Sequence, residues 1–148
     1  MEFFPTLYNR EQTALFIAQM RQMYADKGYC YFAVDTLHDQ RFIGFTGLAW
    51  KTFEAPFTPC VDTGWRLAKT AWGKGYAVEA ALRCQLYAFK ELQLQEIKAI
   101  APLLNRRSIR VMERVGMRQE LLFKHSALAL YPALEPCVCY TISNPSLG

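Results

Sequence analysis

The sequence has no long hydrophobic run, and none of its apolar stretches reaches the length of a membrane span. Its first residues, Met1-Glu2-Phe3-Phe4-Pro5, lack the basic flank and apolar core of a secretory leader. Histidine is scarce, with only His38 and His125, and no Cys-x-x-Cys pair occurs among the five cysteines at 30, 60, 84, 137 and 139. These shortages argue against a zinc site and against a disulfide framework, so no metal is expected. The thiols are expected to be reduced, in a cytoplasmic protein. No run of five basic residues appears, so the net charge of +4 suits an anionic ligand without pointing to nucleic acid or a membrane as partner. No repeat, low-complexity tract or Gly/Ser linker divides the chain, and 148 residues fit one domain, 1–148.

Apolar residues make up 52% of the chain and aromatics 14%, enough to bury a core or line a pocket. Asn9-Arg10-Glu11-Gln12 reads as a helix start in which Asn9 caps and Gln12 reaches back. Phe16, Ile17, Met20, Met23 and Tyr24 follow at helical spacing, and Gly28 is a stop. Residues 29–35 and 41–51 read as an antiparallel pair of strands, the second apolar on both faces. After a proline-bearing loop, residues 61–67 alternate, with Asp62, Gly64 and Arg66 on one face. A helix over about 76–91 places Val78, Ala81, Leu82, Leu86 and Phe89 on one stripe. A short strand at 97–101 precedes a helix at 106–115, capped by Asn105 and closed by Gly116, with Ile109, Met112 and Val115 inward. The segment 118–136 is ambiguous, and 137–143 alternates like a closing strand. This mixed order is not the repeated βαβ of a doubly wound fold.

The most informative stretch is the strand 61–67 followed by Trp72-Gly73-Lys74-Gly75-Tyr76-Ala77. Glycines let backbone amides approach a ligand, the helix N-terminus adds partial positive charge, and Lys74 adds a full one. A phosphate or diphosphate is the natural guest. The alternative is a glycine turn that only starts a helix. A P-loop is excluded, because Gly-Tyr rather than Ser/Thr follows Lys74. A dinucleotide fingerprint fails too, since Val78 stands where a glycine or alanine is required.

Two linked blocks resemble the GNAT family of acetyl-CoA-dependent N-acetyltransferases, in particular its RimJ/RimL-like branch. One is Gly64-Trp65-Arg66-Leu67 with Trp72-Gly73-Lys74-Gly75-Tyr76-Ala77 and Glu79-Ala80; the other is Asn105-Arg106-Arg107-Ser108 with Val111-Met112-Glu113-Arg114-Val115-Gly116-Met117. Phe42-Ile43-Gly44 and Gly47-Leu48 look like the family's central hairpin strand, and the likeness covers about residues 29–143. It implies an α+β fold with a mixed, mostly antiparallel sheet flanked by helices. The chain starts too late for the family's first strand, so the expectation is either a sheet that lacks that edge strand or an edge covered by another element or by a second subunit in a homodimer.

The resemblance further implies acetyl-CoA as cosubstrate. The amides of Trp72, Gly73, Lys74, Gly75, Tyr76 and Ala77 would hold its diphosphate. Trp65, Arg66 and Leu67 would hold pantetheine in a gap between strands 61–67 and 97–101, with Asn105 contacting the cofactor. Arg106, Arg107 and Arg110 are candidates for the 3′-phosphate, the alternative being a solvated helix face; Arg107 is the one assigned. The acceptor would be an amine, a peptide N-terminus or a small molecule. Amine acetylation needs a base to free the nitrogen lone pair and a donor for the leaving thiolate. Asp62 stands where branch members carry a glutamate and is the base candidate, against the alternative of an ion pair with Arg66. Glu54 and His125 are weaker choices, His125 being expected at the surface. Met112 replaces the family's acidic tyrosine, so Ser108 is the nearest polar substitute, unless it only caps its helix. Phe53, Phe57 and the segment 118–136 are expected to border the acceptor site. The alternative activity is a non-catalytic acyl-CoA-binding module.

Overall fold

In the computed structural model, described for residues 9–146, helix α1 (Arg10–Lys27) opens on the expected reciprocal cap. Asn9 Oδ1 accepts from the Gln12 amide at 2.8 Å, and Gln12 Oε1 accepts from the Asn9 amide at 2.9 Å. Gly28 ends the helix in the left-handed region, at φ 82°. The chain then forms β1 (Tyr31–Asp35), β2 (Phe42–Lys51), β3 (Cys60–Leu67), α2 (Tyr76–Leu86), β4 (Glu96–Pro102), α3 (Arg106–Arg114), β5 (Arg118–Lys124) and β6 (Pro136–Ser143).

The six strands lie in one sheet in the order β1-β2-β3-β4-β6-β5. Every neighbouring pair is antiparallel except β3–β4. The ambiguous segment thus supplies the edge strand β5 and a 3-10 turn at Ser126–Leu128. No strand among the described residues precedes β1, which forms the other edge. The core, built on Leu48, Val61, Ile97, Ala99, Val138 and Tyr140, lies against α2 and α3.

Two helical stripes differ from expectation. In α2 the buried positions are Ala81 and Gln85, with Val78 and Cys84 half-buried beside them; Leu82 and Leu86 are 49% and 46% exposed. The cause is Gln85, whose Nε2 donates to the Val115 carbonyl at 3.0 Å and satisfies the end of α3. Turning Gln85 inward rotates the two leucines outward. The helix then widens into a π-helical turn at Tyr87–Glu91, where Asn144 donates to the Phe89 and Leu94 carbonyls. In α1 no residue is buried. Of its apolar stripe, Phe16, Ile17, Met20 and Tyr24 line a cavity, while Met23 is half-buried against the core.

Candidate active site

Strands β3 and β4 run parallel but share a single paired position, Asp62 opposite Lys98. Beyond it they part, and the gap opens into a cavity of about 1270 Å³. Its walls bring together Asp62, Trp65, Arg66 and Leu67 from β3, Ile100 to Pro102 from β4, and Asn105, Ser108 and Met112 from the start of α3. Helix α1 and the β1–β2 hairpin close the other side.

Asp62 is buried, at 6% exposure, and its Oδ1 accepts a 2.6 Å hydrogen bond from the Tyr31 hydroxyl. Burial raises its pKa, while the Lys51 charge and the Tyr31 bond pull the other way without cancelling the rise. The Tyr31 phenol is pushed well above its ordinary value by burial and by Asp62, so it stays protonated as a donor. Gly64 makes this contact possible. A Cβ built on it would stand 2.9 Å from the Tyr31 hydroxyl and 3.1 Å from the ring. The Lys51 ammonium lies 5.2 Å from the centre of the Tyr31 ring.

Asn105 caps α3, its Oδ1 accepting from the Ser108 amide at 3.2 Å. Asn105 thus caps the helix and lines the cavity at once, and Ser108, whose amide it caps, lines the cavity beside it. Met112 is 1% exposed and reaches the cavity one turn beyond Ser108, with no proton to donate there.

The glycine turn lies outside that lining. Gly73 and Gly75 have φ of 77° and 82°, and a Cβ on either meets nothing within 4 Å. The turn therefore has both the left-handed backbone that favours glycine and open space above it. Gly75 begins α2 without a capping side chain. Trp72 is anchored, its Nε1 donating to the Leu67 carbonyl at 2.9 Å. The Arg107 guanidinium stacks over its ring at 4.3 Å, which ties the two helix starts to one place. Lys74, Arg106 and Arg110 are exposed.

Other expectations separate from this site. Phe53 and Phe57 pack with Phe123 and His125, and none of the four lines the large cavity. His125 is half-buried rather than at the surface, because its ring stacks on Phe53 with centroids 4.2 Å apart. Burial and Lys51 lower its pKa, and its Nδ1 already accepts from the Ala127 amide. Glu54 is exposed. All five cysteines are free; burial raises every thiol, Cys60 and Cys137 to about 11, so none is poised as a nucleophile.

Sequence reasoning missed Tyr31 and Lys51. It also missed Lys98, whose side chain is 4% exposed and whose Nζ pairs with Glu120 at 2.8 Å and Glu96 at 3.3 Å. Burial alone would lower its pKa, but the two carboxylates raise it on balance. The one signal for Tyr31 was glycine at both 47 and 64, which the register sets side by side, with Tyr31 opposite Gly47.

These features meet the description of a known family. The model of the acetyltransferase (GNAT) domain matches residues 1–118, and the chain belongs to that family. It is by class an N-acetyltransferase, with the mixed, mostly antiparallel sheet of its solved neighbours. The chain is 28% identical to the uncharacterized protein YkkB of Bacillus subtilis over 117 residues, 79% of this chain and 67% of that one. It is 43% identical to the uncharacterized N-acetyltransferase YnaD of the same organism over 63 residues, which span 43% of this chain and 37% of the relative. The crystal structure of a GNAT-family acetyltransferase from Bacillus anthracis superposes with a TM-score of 0.76 at 26% identity, covering 97% of this chain and 81% of that one. Among the described residues no helix is long and apolar enough to cross a membrane.

Proposed function

We propose that the protein transfers the acetyl group of acetyl-CoA to a primary amine by direct attack on the thioester. The observation that carries this reading is the parting of β3 and β4 beyond Asp62, beside an open glycine turn at a helix N-terminus. Amides from Trp72 to Ala77 and the start of α2 would hold the diphosphate. Arg107, positioned over the Trp72 ring, would meet a phosphate by charge-assisted hydrogen bonds. Trp65, Arg66, Leu67 and Asn105 would line the pantetheine arm in the gap.

Asp62 would take the proton of the incoming ammonium, the amine nitrogen would bond to the acetyl carbon, and the carbon–sulfur bond would break. Burial makes Asp62 a stronger base than an exposed carboxylate. Ser108 is the donor candidate for the leaving thiolate, since Met112 has no proton to give. The free cysteines support a reading in which the protein works in a reducing, cytoplasmic compartment.

Calorimetric titration with acetyl-CoA tests the reading. Saturation at one ligand per chain is expected, with no saturation for Gly75→Glu, which would fill the turn with bulk and negative charge. Wild-type protein that fails to saturate at millimolar ligand would overturn it. Binding without thiol release on any amine, and no effect of Asp62→Asn, would favour the acyl-CoA-binding module instead.

A further inference from the structure

On the acetyl-transfer reading above, Asp62 takes a proton, and it can do so only while ionised. Burial works against that state, and the Tyr31 hydroxyl answers only part of the cost. The other groups around Asp62 are mostly neutral or engaged elsewhere. Lys98 is its partner across the single β3–β4 rung, but that ammonium is taken by Glu120 at 2.8 Å and Glu96 at 3.3 Å. On β3, burial raises the Cys60 thiol to about 11, and the Arg66 guanidinium lies over Phe45, 6.0 Å from its ring centre. Burial raises the Cys84 thiol on α2 as well. Helix α3 lines the cavity with the uncharged Asn105, Ser108 and Met112, and α1 brings Arg21 to its wall.

Lys51 is different. It ends β2 opposite Cys60, one step of the strand alternation from the Ala49–Asp62 pair, so its side chain leaves the sheet on the face that carries Asp62. It is half-buried, lines the cavity, and holds its ammonium 5.2 Å from the centre of the Tyr31 ring. That is within the roughly 6 Å over which a cation is attracted to an aromatic face. Among the described residues no carboxylate forms an ion pair with it. Of the cations named, Lys51 is the one whose charge acts on Asp62, and the same charge reaches His125.

We propose that Lys51 is a positioning residue of the acetyl transfer: its ammonium, seated over the Tyr31 ring, keeps Asp62 ionised and ready for the acceptor's proton. Tyr31 and Lys51 then divide the task, the phenol by a hydrogen bond and the ammonium by its charge. When the N–H bond of the acceptor has broken and an O–H bond has formed on Asp62, the same charge favours loss of that proton to water, which resets the base.

The test is the titration of the Asp62 carboxyl in the full chain, followed by the carbon-13 shift of its side-chain carboxyl and assigned by its loss in Asp62→Asn. Lys51→Met keeps a long side chain and removes the charge. It should raise the Asp62 midpoint by about one pH unit, about a tenfold smaller ratio of ionised to protonated carboxyl at a given pH. Lys51→Gln, a second neutral replacement, should do the same, and Lys51→Arg should return the midpoint close to the wild-type value. The His125 midpoint should rise in both neutral variants, since the same charge lowers it. The sign separates charge from packing: opening the site to water would lower the Asp62 midpoint, because burial is what raises it. An unmoved or lowered midpoint in the neutral variants, or none restored by Lys51→Arg, would overturn the proposal and leave the acetyl-transfer reading standing. Wild-type protein that fails to saturate with acetyl-CoA in calorimetry would overturn that reading, and with it the role given to Lys51, whatever the titration shows.

Discussion

Tyr31→Phe removes one oxygen and leaves the ring in place against Phe45, with centroids 5.6 Å apart. What is lost is the 2.6 Å bond to a buried carboxylate. A hydrogen bond to a charged group contributes about 1.5–3 kcal/mol, against about 0.5–1.5 for a neutral pair. The pH dependence follows from the direction of the Asp62 shift. Burial raises its folded-state pKa, so the native state holds the proton more firmly than the unfolded chain does. The associated stability is full below the unfolded value of about 3.9 and is lost as pH rises through the folded pKa. Tyr31 softens that loss by solvating the ionised form. The variant should therefore be about 1.5–3 kcal/mol less stable in urea melts at pH 7.5 and only about 0.5–1.5 kcal/mol less stable at pH 3.5. The acidic limb of kcat/KM should move to higher pH, with acetyl-CoA affinity unchanged. A penalty equal at both pH values, with an unmoved limb, would refute the assignment of Tyr31 as the partner of an ionisable Asp62.

Gly64→Ala should reproduce part of the Tyr31→Phe phenotype, because its methyl would displace the Tyr31 hydroxyl from 2.9 Å; a wild-type pH profile would count against that contact. Glu120→Ala leaves Lys98 with Glu96 and Thr141 and should cost about 1.5–3 kcal/mol in urea unfolding at neutral pH. Because the Lys98 pKa is raised, that contribution should be intact below the unfolded value of about 10.4 and fade as pH climbs through the folded one. Ellman's reagent at pH 7.5 should react slowly with the native protein and release all five thiols in denaturant; a fast native thiol would revive a cysteine nucleophile.

What the sequence made legible is local. The Asn9–Gln12 box, the Gly28 stop and the Asn105 cap each depend on residues within four positions, and each is in place. The glycine turn was legible for the same reason. The α2 stripe was misread because hydrophobic spacing ranks Leu82 and Leu86 above Gln85, and only the distant Val115 carbonyl brings the amide inward. Tyr31 escaped because its partner lies 31 residues away, and the pairing of β1, β2 and β3 decides the contact. The aromatic group of Phe53, Phe57, Phe123 and His125 joins the loop after β2 to the end of β5, far apart in the chain, which local patterning cannot foresee.

A sheet whose halves meet at one rung behaves like a book open on its spine. The leaf β1-β2-β3 and the leaf β4-β6-β5 are each bound by antiparallel ladders of many rungs, while only the Asp62–Lys98 position stitches the two leaves together. Amides past that stitch face the opening and should trade deuterium far faster than those on the outer rungs. A molecule lodged in the crease would act as a bookmark, slowing that exchange on both leaves at once.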